Sequence, residues 1–480
     1  MLQRLRERLT LLFLALLPLH ALLVTVGTKL LVGKGHAPLA VLALWKEALL
    51  GVILVLNVME AMTNEKWKME NGKWKIFHFD VIDVLILALL ILAIVVSTFN
   101  FQLSTFNFFL GFRYDFIPLV AFLVARRVQW SEAFQRMACK VLLGIGVIVS
   151  IYGILTAFLP MKFFLWLGYS PAHSLYFADG PLAAFQQVSE TMLRRIQSTM
   201  SGPNQFGLWL LIPFSALLTT VSSKKRISFA LSAAGLLLVS ALFLTFSRAA
   251  WIAAFVMAMV VLCGSVPRRL LKGVAAGAVL IVVAIAVVAS LLFPSVFFRL
   301  SSSRGHLVRP LQAIGRMIDH PLGEGLGAAG PASNRVSETC VFLRPQDDPS
   351  WAKTTPRLCV FLGSTQVQPA DHACRCPFLP ENWYLQIGVE MGVAGFVLFV
   401  ALVIVVLVRL GDLRHKTEDI RHTMGSGMDV AYVLRLTSYV SFLGVSIAAL
   451  FLHAWEDSAV SYTVWLLLAV QLHPSPSLRR

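Results

Sequence analysis

Residues 227–267 read ISFALSAAGLLLVSALFLTFSRAAWIAAFVMAMVVLCGSVP, and Arg248 is the only charged residue among them. About 20 apolar residues cross a bilayer as a helix, and this run is twice that long. It predicts two spanning helices with Arg248 at the turn between them. A cation at such a turn either snorkels to the headgroups or holds an anion.

The remainder of the chain has the same character. Of 480 residues, 57% are hydrophobic and only 14% charged, against roughly 25% charged in a soluble domain. Mean hydropathy is +0.75. These values exclude a water-soluble globule and predict one polytopic, all-α integral membrane domain over residues 1–480. The net charge of +16 would suggest nucleic acid in a soluble protein. Here it fits Lys- and Arg-rich cytoplasmic loops, and no nucleic acid is expected.

Apolar segments fall near 9–32, 38–61, 80–99, 108–126, 138–159, 203–222, 227–246, 249–267, 273–293, 386–410, 432–453 and 455–472, roughly 12 transmembrane helices. The first follows MLQRLRER and is too long for a signal-peptide core, so it reads as a span. Basic clusters at Arg4/Arg6/Arg8, Lys66/Lys68/Lys73/Lys75, Arg126/Arg127, Lys224/Lys225/Arg226, Arg268/Arg269/Lys272, Arg409/Arg414/Lys416/Arg421 and Arg479/Arg480 then fall on one side. The positive-inside rule makes that side cytoplasmic, with both termini there.

Two outer segments follow: a smaller loop, 160–202, and a large extracytoplasmic loop, 294–385, rich in Pro, Gly, Ser and Arg and expected to hold short helices. HLVRPLQAIGRMID within it repeats Leu307, Leu311, Ile314, Met317 and Ile318 at helical spacing. No internal repeat is evident. Cys340, Cys359, Cys374 and Cys376 also lie there, where disulfides are permitted; spacing leaves their pairing open. CRC lacks the gap of a zinc knuckle, and no metal is expected. Cys139 and Cys263 read as packing residues.

Four stretches carry candidate chemistry. LRRIQSTMSGPNQFG places Arg195 just before the 203–222 span and Asn204 at its opening, on the side that Arg248 also faces. Guanidinium forks match phosphate oxygens, so the two arginines form a candidate pyrophosphate-binding pair; two snorkelling arginines are the alternative. RMIDHPLGEGLGAAGPASN (316–334) is glycine-rich like a phosphate cradle but lacks the Lys-Ser/Thr of a P-loop, and also reads as a plain tight turn. PENWYLQIGVEMGVAG places Glu381 and Asn382 where the chain re-enters the membrane. Glu381 is a candidate general base, or else a carboxylate beside a helix dipole. Arg304 and His306 join the candidate binding set. Lys46/Glu47 and Arg113/Asp115 interrupt spans and read as interhelical ion pairs, with Arg113 also a candidate for a lipid-headgroup cleft.

The order RIQSTMSGPNQFG, TFSRAAW, IDHPLGEGLG, ENWYLQIGVEMGVAG, over roughly residues 100–405, resembles the O-antigen ligase and O-antigen polymerase superfamily of bacterial membrane glycosyltransferases. That resemblance implies a cell-envelope enzyme of the cytoplasmic (inner) membrane working on its outer face. The donor would be an undecaprenyl-pyrophosphate-linked glycan, with Arg195 and Arg248 on the pyrophosphate. A base activates a hydroxyl of a lipid, glycan or protein acceptor, which attacks with inversion and without metal or other cofactor. Ligases of the family carry a His where this chain has Glu381; Glu381 would serve as the base, or the base lies elsewhere, at His306 or His372. Ligase and polymerase are not distinguished. A transporter or flippase for lipid-linked saccharides or other anions is the rival reading, although such proteins tend to show two similar halves.

Overall fold

A computed structural model describes residues 1–63, 69–70, 73–74, 79–99, 105–171, 180–188, 193–224, 226–265, 300–354, 358–424 and 430–473, with the single positions 273 and 277. In a bilayer every backbone polar group needs a partner within the chain, so the apolar runs fold as helices. The first is α1 (Leu2–Leu16), which passes through a short turn at Pro18 into α2 (His20–Val32). A short α3 (Ala40–Ala43) leads into α4 (Trp45–Thr63), and α5 (Val81–Phe99) follows. Next come α6 (Thr105–Asp115) and α7 (Ile117–Ala125), bent by 47°. Pro118 stands at the start of α7 and cannot continue the hydrogen-bond ladder of α6. Ser131 caps α8 (Glu132–Thr156), its Oγ accepting from Phe134 N at 3.1 Å.

The centre of the bundle is α10 (Pro203–Ser223), which comes after a short α9 (Met161–Leu167). It is flanked by α8, α11 (Phe229–Leu244), α12 (Arg248–Ser265) and α16 (Val430–Ala448). Thr219 of α10 and Thr437 of α16 share a hydrogen bond of 2.7 Å, a kind of polar contact that fixes helix pairs in lipid. The last helix, α17 (Ser458–Gln471), is buried along nearly its whole length. Outward faces of other helices are apolar: Val52 and Val55 of α4, and Ile91 and Ile94 of α5, are exposed. That inside-out pattern suits a lipid surround.

Among the described residues, six helices are long and apolar enough to cross a membrane, or seven if the bent pair is one span. The architecture is therefore that of a multi-pass helical membrane protein, but the count falls short of the expected twelve. The shortfall has a physical reason. The apolar stretches Phe229–Leu244, Arg248–Gly264, Tyr432–Ala448 and Ser458–Gln471, in α11, α12, α16 and α17, run only 10–17 residues, short of the about 20 that cross the hydrocarbon core. The expected span 273–293 lies outside the described residues.

Helix ends collect at two poles. At one, Arg6 of α1 meets Glu60 of α4 at 3.2 Å and the Gln129 carbonyl at 2.6 Å. Arg126, just past α7, meets Asp80 (2.7 Å), Asp83 (2.9 Å) and the Leu472 carbonyl (2.8 Å). The other pole carries residues 194–204, 245–248, 320–330 and 449–457. It also carries α13 (Leu300–Asp319) and the start of α15 (Trp383–Met424).

The 294–385 loop holds more than short helices. After α13 and α14 (Gly330–Val336) comes a three-stranded sheet of β1 (Cys340–Leu343), β2 (Cys359–Leu362) and β3 (Thr365–Gln368). Strands β1 and β2 have the same sequence, CVFL, and pair parallel in register, Cys340 beside Cys359. This repeat was not evident in the sequence reading. Disulfides Cys340–Cys376 and Cys359–Cys374 settle the pairing that spacing left open.

Candidate functional site

Arg195 sits in a two-residue strand, Arg194–Arg195, paired antiparallel with Gln186–Gln187. Its Nε donates to the Thr245 carbonyl (3.0 Å) and its Nη2 to Asn204 Oδ1 (2.6 Å). Asn204 is the second residue of α10, so Arg195 ties the start of α10 to the α11–α12 turn. The segment that follows is pinned just as firmly. Ser198, at φ 53°, donates its hydroxyl to the Val149 carbonyl at 2.7 Å, and Thr199 donates to the Pro18 carbonyl at 2.6 Å.

The α11–α12 turn, TFSR, is built by Phe246 at φ 51°. Ser247 N donates to Thr245 Oγ1 at 3.2 Å, and Trp251 Nε1 reaches back to the Leu242 carbonyl at 2.9 Å. Arg248 opens α12 three residues after the carbonyl that Arg195 holds. The two arginines thus meet at one turn.

The third component comes from α13 and the start of α15. Glu381 stands at φ 57°, an unusual backbone for a non-glycine residue. Its Oε1 accepts from Arg309 Nη1 at 2.6 Å, while its Oε2 lies 3.9 Å from His306 Nδ1. His306 and Arg309 are three apart on α13 and share a face. Burial pushes the His306 imidazole below its usual range; Glu381 opposes that shift, and Arg248 and Arg309 add to it. His306 therefore stands in the field of Glu381, Arg248 and Arg309 together. Its Nδ1 is buried without a hydrogen-bond partner.

Other residues named from the sequence have different placements. Asn382 is held at both ends, its Oδ1 accepting from Leu385 N (3.0 Å) and its Nδ2 donating to the Leu450 carbonyl (3.0 Å). It caps α15 and ties it to the end of α16. Arg113 pairs with Glu47 of α4 at 2.7 Å, not with Asp115; Glu47 also holds Lys46 at 2.8 Å. The expected ion pair thus joins different helices, because Asp115 turns toward Glu390 and Glu456. The side chain of Arg304 lies outside the described residues.

The glycine-rich turn is built for packing. A Cβ on Gly323 would meet the Glu390 carbonyl and Gly392 N at 2.5 and 2.6 Å. Gly392, at φ 71° and ψ −172°, breaks α15 to admit the turn. Glu390 Oε1 accepts from Gly327 N (2.9 Å) and Ala329 N (3.2 Å). Those N–H groups face a carboxylate of the chain itself, so at these positions the tight-turn reading holds.

Arg309 was not singled out from the sequence, though its place three residues after His306 on a helical run is the signal that marks it. Gln386, His453 and Glu456 were also missed as a linked group; their contacts span 67 to 70 residues. Among the described residues, Glu338, His372 and Cys374 gather metal-type ligand atoms within 4.8 Å. Cys374 is bonded to Cys359, which leaves no thiolate for a metal. Compared with protein-family models and with curated proteins, the chain matches none.

Proposed function

We propose that this chain transfers or polymerises a lipid-pyrophosphate-linked glycan onto an acceptor hydroxyl at the outer face of a bacterial cytoplasmic membrane. The observation that carries the reading is the meeting of Arg195, Arg248, His306, Arg309 and Glu381 at one pole. The order of the four motifs supports it, as in the O-antigen ligase and polymerase superfamily.

The topology belongs to the same proposal. Helices α11, α12, α16 and α17 count as spans, the segment 273–293 adds another, and the total returns to twelve with both termini cytoplasmic. The disulfide-bonded lobe then lies outside, where disulfides persist. Helix α13 exposes Leu307, Leu311 and Ile318, an apolar face suited to the membrane interface.

In the reaction the acceptor oxygen bonds to the anomeric carbon as the bond to the donor pyrophosphate breaks. The leaving pyrophosphate gains negative charge, which Arg195 and Arg248 stabilise. The acceptor proton goes to a base. Glu381 Oε1 already accepts from Arg309 Nη1 at 2.6 Å, so a guanidinium occupies one of its two oxygens. We assign proton acceptance to Nε2 of a neutral His306, with Glu381 steadying the imidazolium through Nδ1, as carboxylates do in other nucleophile–base–carboxylate sites.

One observation favours the transport reading: Asp115, Glu390 and Glu456 are buried carboxyls inside the bundle, a common feature of ion-coupled carriers. Purified protein in vesicles with undecaprenyl-pyrophosphate glycan and an acceptor separates the two. A new glycosidic bond supports transfer; donor movement across the bilayer without one overturns it.

A further inference from the structure

Three carboxyl groups meet where α6, α15 and the Ala454–Glu456 turn converge: Asp115, Glu390 and Glu456, exposed by 5%, 0% and 4%. Two are half satisfied. Glu390 Oε1 accepts from Gly327 N and Ala329 N, and Glu456 Oε1 accepts from Gln386 Nε2 at 2.6 Å. The second oxygen of each glutamate and both oxygens of Asp115 are buried and meet no donor. The Ala332 backbone N–H also acts on the Glu456 carboxyl. Asp115 lies within hydrogen-bonding reach of both glutamates.

Two carboxylates cannot bond one another, because each only accepts. A proton on one member of each pair removes the conflict. One proton between Asp115 and Glu390, and one between Asp115 and Glu456, satisfy all four bare oxygens. The single charge left is spread over a cluster that already has amide donors at both ends.

We propose that Asp115, Glu390 and Glu456 form a buried proton-binding site that holds two protons at neutral pH and, through Glu390, seats the glycine-rich turn.

A metal cation is the other occupant that an acidic cluster invites. Among the described residues, only Glu338, His372 and Cys374 bring three ligand atoms within 4.8 Å of one another. Each glutamate is within hydrogen-bonding reach of Asp115, which suits shared protons. Charges facing the cluster are accounted for. Lys46 and Arg113, across a cleft that Glu456 also lines, are both paired with Glu47. Asp457 caps α17 through Ala459 N and Val460 N. His453 Nδ1 meets Gln386 Oε1 at 2.5 Å, and His306 and Arg309 act on it from α13. Glu324, in the turn, faces Arg316 at 3.5 Å.

Infrared spectroscopy of the full chain in lipid tests the site with neither donor nor acceptor present, so the outcome is independent of glycan transfer. At neutral pH the wild type should show absorption from protonated carboxylic acids that shifts on deuterium exchange. Asp115→Asn should halve that band, because an amide donates to one glutamate and leaves one proton shared with the other. Glu456→Gln should also remove one proton, and it provides the reading if Asp115→Asn does not fold. Absence of the band in the wild type, or a band unchanged in the folded variants, overturns the proposal.

Discussion

Arg309 Nη1 lies 2.6 Å from Glu381 Oε1, and that contact decides what Glu381 can do. With the guanidinium N–H on it, that oxygen is already engaged in a charge-assisted hydrogen bond. The other carboxylate oxygen, 3.9 Å from His306 Nδ1, is the one that faces a titratable partner.

The pH dependence follows from that arrangement. His306 must be neutral to accept a proton, so glycan transfer should fall as pH drops through its pKa. Burial lowers that pKa, Glu381 raises it, and Arg309 lowers it further. Glu381→Gln should therefore move the acid limb of the pH–rate profile to lower pH, and Arg309→Met should move it to higher pH. Profiles of transfer in vesicles provide the check; shifts in the same direction would refute the assignment.

Arg195→Ala and Arg248→Ala should each reduce transfer by about 10²–10³-fold, the usual loss when one group stabilising a developing anion is removed. Arg195 bonds the Thr245 carbonyl and Asn204, so its loss should also cost about 1–3 kcal/mol of stability. Arg195→Lys should recover little activity, since an ammonium lacks the planar fork. Activity and thermal unfolding of the purified variants measure both effects.

Helix character and the amphipathic run in α13 were legible because each is local; the bond from Arg195 to the Thr245 carbonyl, which brings it to the turn of Arg248, was not. Periodicity marks a helix, and alternating basic clusters order the spans. The Glu381–Arg309 pair was not legible, because its partners lie 72 residues apart and on different elements. The ion pair of Arg113 was legible only as one between helices; which helix supplies the carboxylate was not, because Glu47 arrives from α4, 66 residues away. Cys340–Cys376 and Cys359–Cys374 needed the parallel CVFL strands to bring their ends together.

Gly392→Ala should unseat the glycine-rich turn. A Cβ there would run into the Pro321 carbonyl oxygen, and φ 71°, ψ −172° is a backbone open to glycine. The cost should be about 2–3 kcal/mol, with faster amide exchange over residues 321–329. Gly411→Ala, in the same helix with no neighbour within 4 Å of the added carbon, should be neutral or mildly stabilising.

The disulfide lobe should carry its own pH response. His372 Nε2 meets Glu338 Oε1 at 2.7 Å and its Nδ1 meets Asp371 Oδ1 at 2.9 Å. These hydrogen bonds raise the His372 pKa, Glu338 first and Asp371 second, while His372 holds both carboxyls below their usual values. The histidine contribution is complete below its unfolded pKa of about 6.5 and is lost as pH rises through the elevated folded value. The carboxylate contributions are complete above unfolded values of about 4 and are lost as pH falls through the depressed folded values. The lobe should therefore be most protected between about pH 4 and 6.5. Glu338 also accepts from Arg375 N at 2.7 Å, so the response should appear in amide exchange around residues 338 and 371–376. His372→Gln should flatten the alkaline side and leave the bundle unchanged; a wild-type profile with no decline above neutral pH would refute the coupling.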